Sequence, residues 1–454
     1  MSFPKVLASL LILLTLLTMS ARPAMSANMP ARGSFAFVDV NVVPMESDGV
    51  LLRRTVIVQG DTIVTVGPAA STPVPEGAVR IEGGGKAWLV PGLADMHTHV
   101  GEEDDLGLFI ANGVTTVLHL GGTEQKLVGY ARDAILTGEI VGPQMFFGMM
   151  VNGPNTYSLP AAKTVEESEL LANYAKLIGY DFLKVYNDLS PTAFAALVAR
   201  GRTLGLPVIG HGVRAVGLPA ALFKGQMMVA HAEEFVYTAL DGKQDAAAID
   251  ALAAEVKRSN AFVTPALSTF EAIAAQWGKP AQVTAYLTSP QAEATSLRAR
   301  SAWNRSFYMR RQGDVSGSLV IQRKLTLAFQ KAGVPLMTGT DTPEVPGMFP
   351  GYAVHEDLRN LIVSGLTPYE ALAAATRTPG QFIRSTHPGR QPFGTVKAGQ
   401  RADLVLVGAN PLTTIETMKV PAGVMAAGRW FDRAGLDALL SSRRERYRHL
   451  DQAK

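Results

Sequence analysis

The chain has 454 residues, of which 47% are hydrophobic and 18% charged, a balance typical of a globular protein with a large buried core. This length suits one large domain with a smaller appendage. The net charge is only +3, which gives no reason to expect nucleic acid or an anionic membrane as a partner. Cysteine is absent, so disulfides and thiol chemistry are excluded.

The first 27 residues predict a secretory signal peptide. Lys5 gives a positive start, residues 6–21 carry no charge, and small residues surround the expected cleavage position at Ser26 or Ala27. The uncharged run is shorter than the roughly 20 apolar residues that a membrane-spanning helix needs. A retained N-terminal anchor is the alternative. We therefore expect an exported protein, periplasmic or secreted, without a stable membrane anchor.

Two stretches near the ends of the chain predict short β-strands. Residues 28–90 contain FAFVDV, TVIVQ and TIVTVG, which are separated by turn residues such as Gly60-Asp61. Residues 391–432 have the same character. The two stretches bracket the middle of the chain, so we expect one small β-sandwich built from both. A helical tail is expected over 433–454.

The middle of the chain, residues 91–390, predicts a (β/α)8 TIM barrel of the α/β class. Strand-like runs alternate with helix-like stretches such as SPTAFAALVARGRTLG, which has apolar residues at helical spacing after a Ser-Pro start. Eight such alternations match a barrel, whereas a doubly wound open sheet would not bring so many strand ends to one centre. The long connection 270–330 is a candidate lid over the mouth, with a surface helix pair as the alternative.

Metal-ligand side chains follow the ends of several predicted strands, the face on which barrel enzymes build their sites. His97 and His99 lie two residues apart on one strand, so their side chains should point the same way. Imidazoles together with a carboxylate suit zinc and similar divalent ions. The candidate metal-site residues are His97, His99, Lys184, His211, His231 and Asp341.

Lys184 is the unusual member of this set, because a protonated amine cannot bind a metal ion. Its side chain either turns away and pairs with a carboxylate, or its neutral amine reacts with carbon dioxide. The second outcome gives an anionic carbamate with two oxygens, and the long lysine stem would let them bridge two ions. The residues alone leave both outcomes open.

Taken together, these motifs resemble the metal-dependent amidohydrolase superfamily. The resemblance extends over about residues 34–432 and includes PGLADMHTH, GVTTV, FLKVY, GHG, HAEE, GTD, GLTPYEALAAAT and GTVKAGQRADLVLV. Within the superfamily, the chain looks closest to the imidazolonepropionase- and prolidase-like branch with a carboxylated lysine. The resemblance implies a hydrolase that cleaves a C–N bond in a small amide or peptide.

The resemblance also implies a binuclear centre, with zinc as the expected metal. One ion would take His97, His99, Asp341 and carboxylated Lys184, and the other would take Lys184, His211 and His231. A bridging hydroxide would attack the substrate carbonyl. Asp341 would act as the general acid and base that carries the proton to the leaving nitrogen.

Four further residues are candidates for contact with substrate. His119 ends the second predicted strand, where it could bind a substrate carboxylate, support a ligand or simply pack. Tyr186 follows Lys184 closely and could donate to the developing oxyanion. Tyr157 lies in the loop after the third strand, and Arg214 could hold a terminal carboxylate, although a solvated arginine is commoner.

Other functions remain as alternatives. A lactonase or esterase would use the same site. A deaminase is disfavoured, because related deaminases usually have one metal, no carboxylated lysine and a glutamate soon after the histidine of strand five, whereas His211 is followed by Gly-Val-Arg. A non-catalytic metal-binding relative would usually lack one of the ligands. The sequence leaves the substrate and a homo-oligomeric state open.

Overall fold

The computed structural model of the protein describes residues 29–121, 125–154, 160–240 and 244–452. The predicted signal peptide at 1–27 and the candidate substrate residue Tyr157 lie outside the described residues. Within the described ranges, no helix combines the length and the apolar character needed to cross a membrane.

Strands from both ends of the chain pair in one sheet, as the two bracketing β stretches predicted. Among the described residues this sheet has eight strands in the order β15-β14-β13-β5-β1-β2-β3, with β4 paired to β1. The strands are β1 Gly33–Val42, β2 Leu51–Gly60, β3 Thr62–Pro68, β4 Val79–Glu82, β5 Trp88–Pro91, β13 Leu404–Val407, β14 Gly423–Ala426 and β15 Arg429–Asp432.

The two ends meet where β5 runs antiparallel to β13, with Val90 opposite Val405. A separate apolar core including Phe37, Val56, Leu404 and Met425 stabilises this unit. All eight strands belong to one hydrogen-bonded sheet, and the edge-on contact between Phe37 of β1 and Trp430 of β15 brings strands together that are not neighbours in that sheet. Bulges within β1 let that strand pair with β2 along one edge and with β4 and then β5 along the other.

The predicted barrel is confirmed. Seven consecutive strands of the described chain form a parallel sheet in which each strand pairs with the next one in the sequence. Both faces are covered, which explains why nearly all residues of these strands are buried. They are β6 Leu93–Thr98, β7 Val114–His119, β8 Gln144–Val151, β9 Phe182–Val185, β10 Val208–Gly210, β11 Gln226–Ala230 and β12 Phe262–Thr264.

The eighth position of the barrel is irregular, although a strand was predicted over 335–340. This segment meets the two edges of the sheet only through isolated bridges, Val263 with Leu336 and Thr98 with Thr342. The Met337 amide donates to the Val263 carbonyl and the Asp341 amide to the His97 carbonyl, whereas other N–H groups of the segment have partners outside the sheet. The amide of Thr338 donates to the Ala374 carbonyl, and those of Gly339 and Thr340 donate to carboxylates.

Fifteen α-helices occur in the described residues, and their starts follow the expected capping chemistry. The helix at 165–178 begins with a capping box between Thr164 and Glu167, and the helix at 191–204 begins after Ser190, whose side chain accepts from the Ala193 amide. The first seven are α1 Leu106–Ala111, α2 Gln125–Thr137, α3 Val165–Ile178, α4 Pro191–Leu204, α5 Ala220–Phe223, α6 Glu233–Thr238 and α7 Ala246–Ser259. The others are α8 Leu267–Gln276, α9 Pro280–Leu287, α10 Leu297–Trp303, α11 Ser316–Ala332, α12 Ala353–Val363, α13 Pro368–Ala375, α14 Arg377–Thr386 and α15 Arg433–Gln452.

The barrel interior is packed rather than open. Alternate strand residues such as Met96, Leu118, Ile209 and Met228 form one buried apolar cluster. Phe382 of α14 joins this cluster and stacks on Phe182, with ring centroids 5.5 Å apart. The polar site therefore occupies the opposite end of the barrel, at the carboxyl ends of the strands.

The candidate lid consists largely of helices α8, α9, α10 and α11. Two hydrogen bonds connect it to the loop that follows the irregular eighth segment. The indole of Trp303 donates to the Pro343 carbonyl over 2.6 Å, and the side-chain amide of Gln276 donates to the Pro346 carbonyl. Trp303 is 1% exposed and also packs edge-on against Phe349. The described helices of this insertion thus pack against the loop that follows the eighth segment, and whether they act as a lid stays a prediction.

Candidate metal centre at the barrel mouth

The two histidines of the first barrel strand point to one place. Their Nε2 atoms lie 3.2 Å apart. The Nδ1 atom of His99 lies 2.7 Å from the Gly121 carbonyl and donates a hydrogen bond to it. The Nε2 atom of His99 therefore carries a lone pair, which faces His97. Both rings are buried, which keeps their orientation fixed.

Asp341 completes this group. Its Oδ1 atom lies 3.1 Å from Nε2 of His97 and 3.0 Å from Nε2 of His99. The backbone of Asp341 has φ +54°, a left-handed conformation that is unfavourable for a residue with a side chain, and its amide donates to the His97 carbonyl. Within the described residues these three side chains form the group that could hold a metal ion.

Lys184 projects into the same place from β9. Its Nζ lies 3.4 Å from Nε2 of His97, and the side chain is buried. Burial lowers the pKa of Lys184 to about 8, and the nearby carboxylates Asp341, Glu344 and Glu234 oppose that shift. A substantial neutral fraction of the amine is therefore present near pH 8, and the neutral amine is the form that can attack carbon dioxide.

His211 and His231 form the second half of the cluster. Their ring centroids lie 5.0 Å apart, and the ring of His231 lies 4.6 Å from that of His97. His231 also has a left-handed backbone, with φ +73°. All six side chains predicted as metal ligands thus lie together, and their role as ligands stays a prediction.

Glu234 orients His211, a role that the sequence did not reveal. Its Oε1 atom lies 2.7 Å from Nδ1 of His211, so that nitrogen donates and Nε2 faces the site. The side-chain amide of Asn187 and the backbone amide of Gly212 donate to the same carboxylate. Although burial raises the pKa of Glu234, the contacts with His211 and Asn187 outweigh it and keep the carboxyl ionised. The HAEE motif carried a signal for this residue, but nothing in it says which glutamate turns inward.

The electrostatics favour neutral imidazoles facing one carboxylate. Burial holds the pKa of His97 well below its usual range and lowers that of His231 to about 3. Burial would raise the pKa of Asp341, but the adjacent nitrogens of His97 and His99 bring it well below its usual range. Neutral imidazole and ionised carboxylate are the protonation states in which these groups bind metal ions.

The donor set therefore fits a divalent ion. Nε2 of His97, Nε2 of His99 and Oδ1 of Asp341 lie 3.0–3.2 Å from one another, and nitrogen and oxygen are ligands that suit zinc. The Nδ1 atoms of His99 and His211 are hydrogen-bonded to protein groups, as is usual for histidines that bind metal ions.

His119 lies behind His99 in the structure. Its Nδ1 accepts from the Val100 amide over 3.0 Å, and its ring packs edge-on against Phe147. Its imidazole is buried, and burial lowers its pKa well below the usual range. This environment matches the supporting or packing roles that the sequence left open for it.

The other candidate substrate residues differ in position. The ring of Tyr186 lies 4.0 Å from that of His211, and burial and the nearby acidic groups raise the pKa of its phenol, so the hydroxyl keeps its proton. The side chain of Arg214 is 68% exposed and pairs with Asp188 at 3.4 Å, which directs it to solvent. Tyr157 lies outside the described residues.

The insertion also reaches the mouth. Tyr308 is half-buried, and burial together with the charges of Glu233 and Asp341 raises the pKa of its phenol. Burial and the charges of Glu234 and Asp341 raise the pKa of Glu233 to about 8. Tyr186 and Tyr308 therefore keep their protons and can donate hydrogen bonds.

Comparison with known proteins gives one family and one fold. Residues 321–431 match the model of the amidohydrolase family. No curated protein matches the sequence. Similar solved structures include the bottromycin amidohydrolase, with 24% identity, a TM-score of 0.73 and coverage of 92% of this chain and 91% of that one.

Two peptidase structures are also similar. A Xaa-Pro dipeptidase with methionine bound in its active site is 16% identical, with a TM-score of 0.65 and coverage of 88% of this chain and 100% of the other. A prolidase complexed with N-methylphosphonate-L-proline is 18% identical, with a TM-score of 0.66 and the same coverages. At these identities the structural likeness shows the fold. Together with the family match, it confirms the resemblance to amidohydrolases and the expectation of a hydrolase.

Proposed function

We propose that this member of the amidohydrolase superfamily cleaves the C–N bond of a small amide, such as a dipeptide or an N-acyl amino acid, with the help of divalent metal ions. The observation that carries the proposal is the approach of Oδ1 of Asp341 to Nε2 of both His97 and His99, beside a buried lysine. Fold analogy supports the amide class, because the similar structures include peptidases and an amidohydrolase.

Two divalent ions, with zinc as the expected metal, are part of this proposal. His97, His99 and Asp341 would hold one ion, His211 and His231 would hold the other, and a carboxylated Lys184 would bridge the two. The lowered pKa of Lys184 supports the carbamate, because a neutral amine is its precursor. Bound ions would supply an activated water and would polarise the substrate carbonyl.

The protein side chains would control the proton and the orientation of the substrate. Asp341 is ionised and central, so its carboxylate can accept a proton from water and deliver it to the leaving nitrogen, a transfer worth typically ~10²–10⁴-fold in rate. Tyr186 keeps its proton and lies against His211, where it can donate to the oxygen that gains charge. Glu234 keeps Nε2 of His211 turned inward.

Substrate selection would come from the walls of the mouth. Tyr186 is the described candidate for this role, and Tyr157 is a further candidate from the sequence, whereas His119 is buried behind His99. Arg214 is the weakest of the four because it faces solvent and pairs with Asp188. We also propose export to the periplasm or medium on the basis of residues 1–27. Cell fractionation with and without that segment tests the location.

The experiment that tests the function is a substrate screen on the purified, zinc-loaded chain. Dipeptides and N-acyl amino acids should be cleaved, and Asp341→Asn should abolish most of the turnover. The matched control is Asp188→Asn, which removes an exposed carboxylate away from the cluster. Turnover of lactones or esters alone would reassign the chain to an esterase, and release of ammonia from an aminated ring would reassign it to a deaminase. A metal-loaded chain inert to every class would contradict the proposal.

A further inference from the structure

The segment Gly339-Thr340-Asp341 delivers a central side chain of the site from outside a regular strand. The amides of Thr340 and Asp341 donate to the His97 carbonyl, and side-chain contacts add to these backbone bonds. Two buried carboxylates, Asp95 and Asp357, supply these side-chain contacts, and both are fully removed from solvent.

Asp95 binds the segment on the side of the first barrel strand. Its Oδ1 accepts from the amide of Thr340 over 3.0 Å and from that of His97 over 3.3 Å. Its Oδ2 accepts from the Thr340 hydroxyl over 2.6 Å. One carboxylate therefore links the backbone of His97 to the residue that precedes Asp341.

Asp357 binds the segment from the helical side. Its Oδ2 accepts from the Gly339 amide over 3.2 Å, and its Oδ1 accepts from the Ser268 amide at the start of α8. The hydroxyl of Thr269 donates to the Thr340 carbonyl over 2.8 Å. The insertion and α12 are thereby tied to the same three residues.

This arrangement costs folding free energy, which indicates that it serves the site rather than the stability of the fold. Burying a carboxylate disfavours its charged form, and a left-handed backbone is strained at a non-glycine residue such as Asp341. Such strain persists where the surroundings over-determine the conformation. Here the surroundings are the hydrogen bonds to Thr340 and Gly339.

We infer that Asp95 and Thr340 are positioning residues that hold the Asp341 carboxylate against His97 and His99, with Asp357 fixing the preceding residue. The hydrogen bonds of these three side chains go to backbone groups and to one another, and not to the imidazoles or to the carboxylate of Asp341. The inference relies on the proposed function only for the expectation that a divalent ion binds between His97, His99 and Asp341.

The chain offers a matched control for the test. The hydroxyl of Thr338 donates to the Ala94 carbonyl over 2.7 Å, so it makes an equivalent buried link between the same two segments, two residues before Thr340. Thr340→Val and Thr338→Val each remove one buried hydroxyl donor at constant shape. Only the first removes a donor from Asp95. Thr340→Ser restores that donor.

The experiment measures zinc affinity by chelator competition, together with thermal unfolding of the metal-free chain. Thr340→Val should weaken zinc binding by about 10–100-fold, the usual loss when a supporting contact of a ligand is removed. Thr340→Ser should recover most of the affinity. Thr338→Val should lower the unfolding temperature to a similar extent while keeping wild-type affinity. If Thr340→Val does not fold, Thr340→Ala takes its place.

Two results would overturn the inference: equal losses of zinc affinity in the Thr340→Val and Thr338→Val variants, or wild-type affinity in the former. A wild-type chain that binds no zinc would overturn it as well. A wild-type chain that binds zinc but cleaves no amide contradicts the proposed function alone, because the affinity series still decides the role of Thr340. Where turnover is found, Thr340→Val should lower kcat more than it changes KM.

Discussion

The Nδ1 atom of His211 lies 2.7 Å from the carboxylate of Glu234, and this contact decides which ring nitrogen faces the cluster. The same carboxylate is fixed by the side chain of Asn187 and the amide of Gly212. The imidazole is thus held in one tautomer and one orientation, as is usual for histidines that bind metal ions.

Replacing Glu234 with Gln should therefore loosen His211 and weaken metal binding by about 10–100-fold at the site of His211 and His231. Titration with zinc and a competing chelator measures the loss. The control is Glu233→Gln, at the adjacent position, because Glu233 makes no hydrogen bond to His211 among the described residues. Equal losses in the two variants would show that polar groups of the mouth in general, rather than the contact with His211, govern affinity.

Removing the central carboxylate should impair the reaction more than the fold. Asp341→Asn keeps the volume of the side chain but removes the proton acceptor, so kcat should fall by about 10²–10⁴-fold. The measurement is steady-state turnover at matched metal content, verified by elemental analysis. Retained activity in Asp341→Asn with full metal occupancy would assign the proton transfer to another group.

Lys184 gives a prediction about pH and carbon dioxide. Burial brings its pKa to about 8 from its ordinary 10.5, so the fraction of reactive neutral amine rises steeply as the pH increases towards 8. Metal-free protein given labelled bicarbonate should therefore form the carbamate faster at pH 8 than at pH 6, seen as a new carbonyl signal by NMR. Lys184→Met should lack the signal, while Lys176→Met, on the outer helix α3, should keep it. A signal of equal strength in Lys184→Met would contradict the assignment.

Asp105 gives a prediction about stability. It is 1% exposed, its Oδ1 has no partner, and burial raises its pKa from the ordinary 3.8 to about 8. Between about pH 4 and pH 8 the unfolded carboxyl is ionised while the folded one stays protonated, so its contribution is full below pH 4 and is lost as the pH rises. Asp105→Asn should therefore stabilise the protein by about 1 kcal/mol or more at pH 8, with a smaller effect at pH 4.

The neighbouring Asp104 provides the comparison for that variant. It forms ion pairs with Arg443 and Arg446 of the C-terminal helix α15, so Asp104→Asn should destabilise where Asp105→Asn stabilises. Thermal unfolding at pH 5 and pH 8 measures both. A loss of stability in Asp105→Asn at pH 8 would mean that its carboxylate has a partner in solution.

Much of the site could be predicted because its residues follow apolar strands in a regular order. His97, His99, Lys184, His211 and His231 each lie on or directly after a strand that the hydrophobic pattern identified. The hydrophobic pattern did not reveal the side chains that support the candidate ligands, because these contacts join residues far apart in the sequence. The link between Asp95 and Thr340 joins positions far apart in the chain, and no local period reveals it.

The irregular eighth segment shows why a pattern can mislead. The run VPLMTGT has the composition of a strand, and Leu336 does pair with Val263. The amides of Thr338, Gly339 and Thr340 also have partners in Ala374 of α13, Asp357 and Asp95, and the pairing with the two neighbouring strands is reduced to isolated bridges. The sequence also could not show which glutamate of HAEE contacts His211, because that depends on the positions of Asn187 and Gly212, which donate to Glu234.

The pairing of β5 with β13 constrains how the polypeptide is made. β5 leaves the ribosome before any of the barrel, whereas its antiparallel neighbour arrives only after the barrel is complete. Until then one edge of the amino-terminal sheet has open hydrogen-bonding groups, which invite pairing with other nascent chains. The terminal sheet can close only near the end of synthesis, so truncated products should aggregate rather than accumulate as folded intermediates.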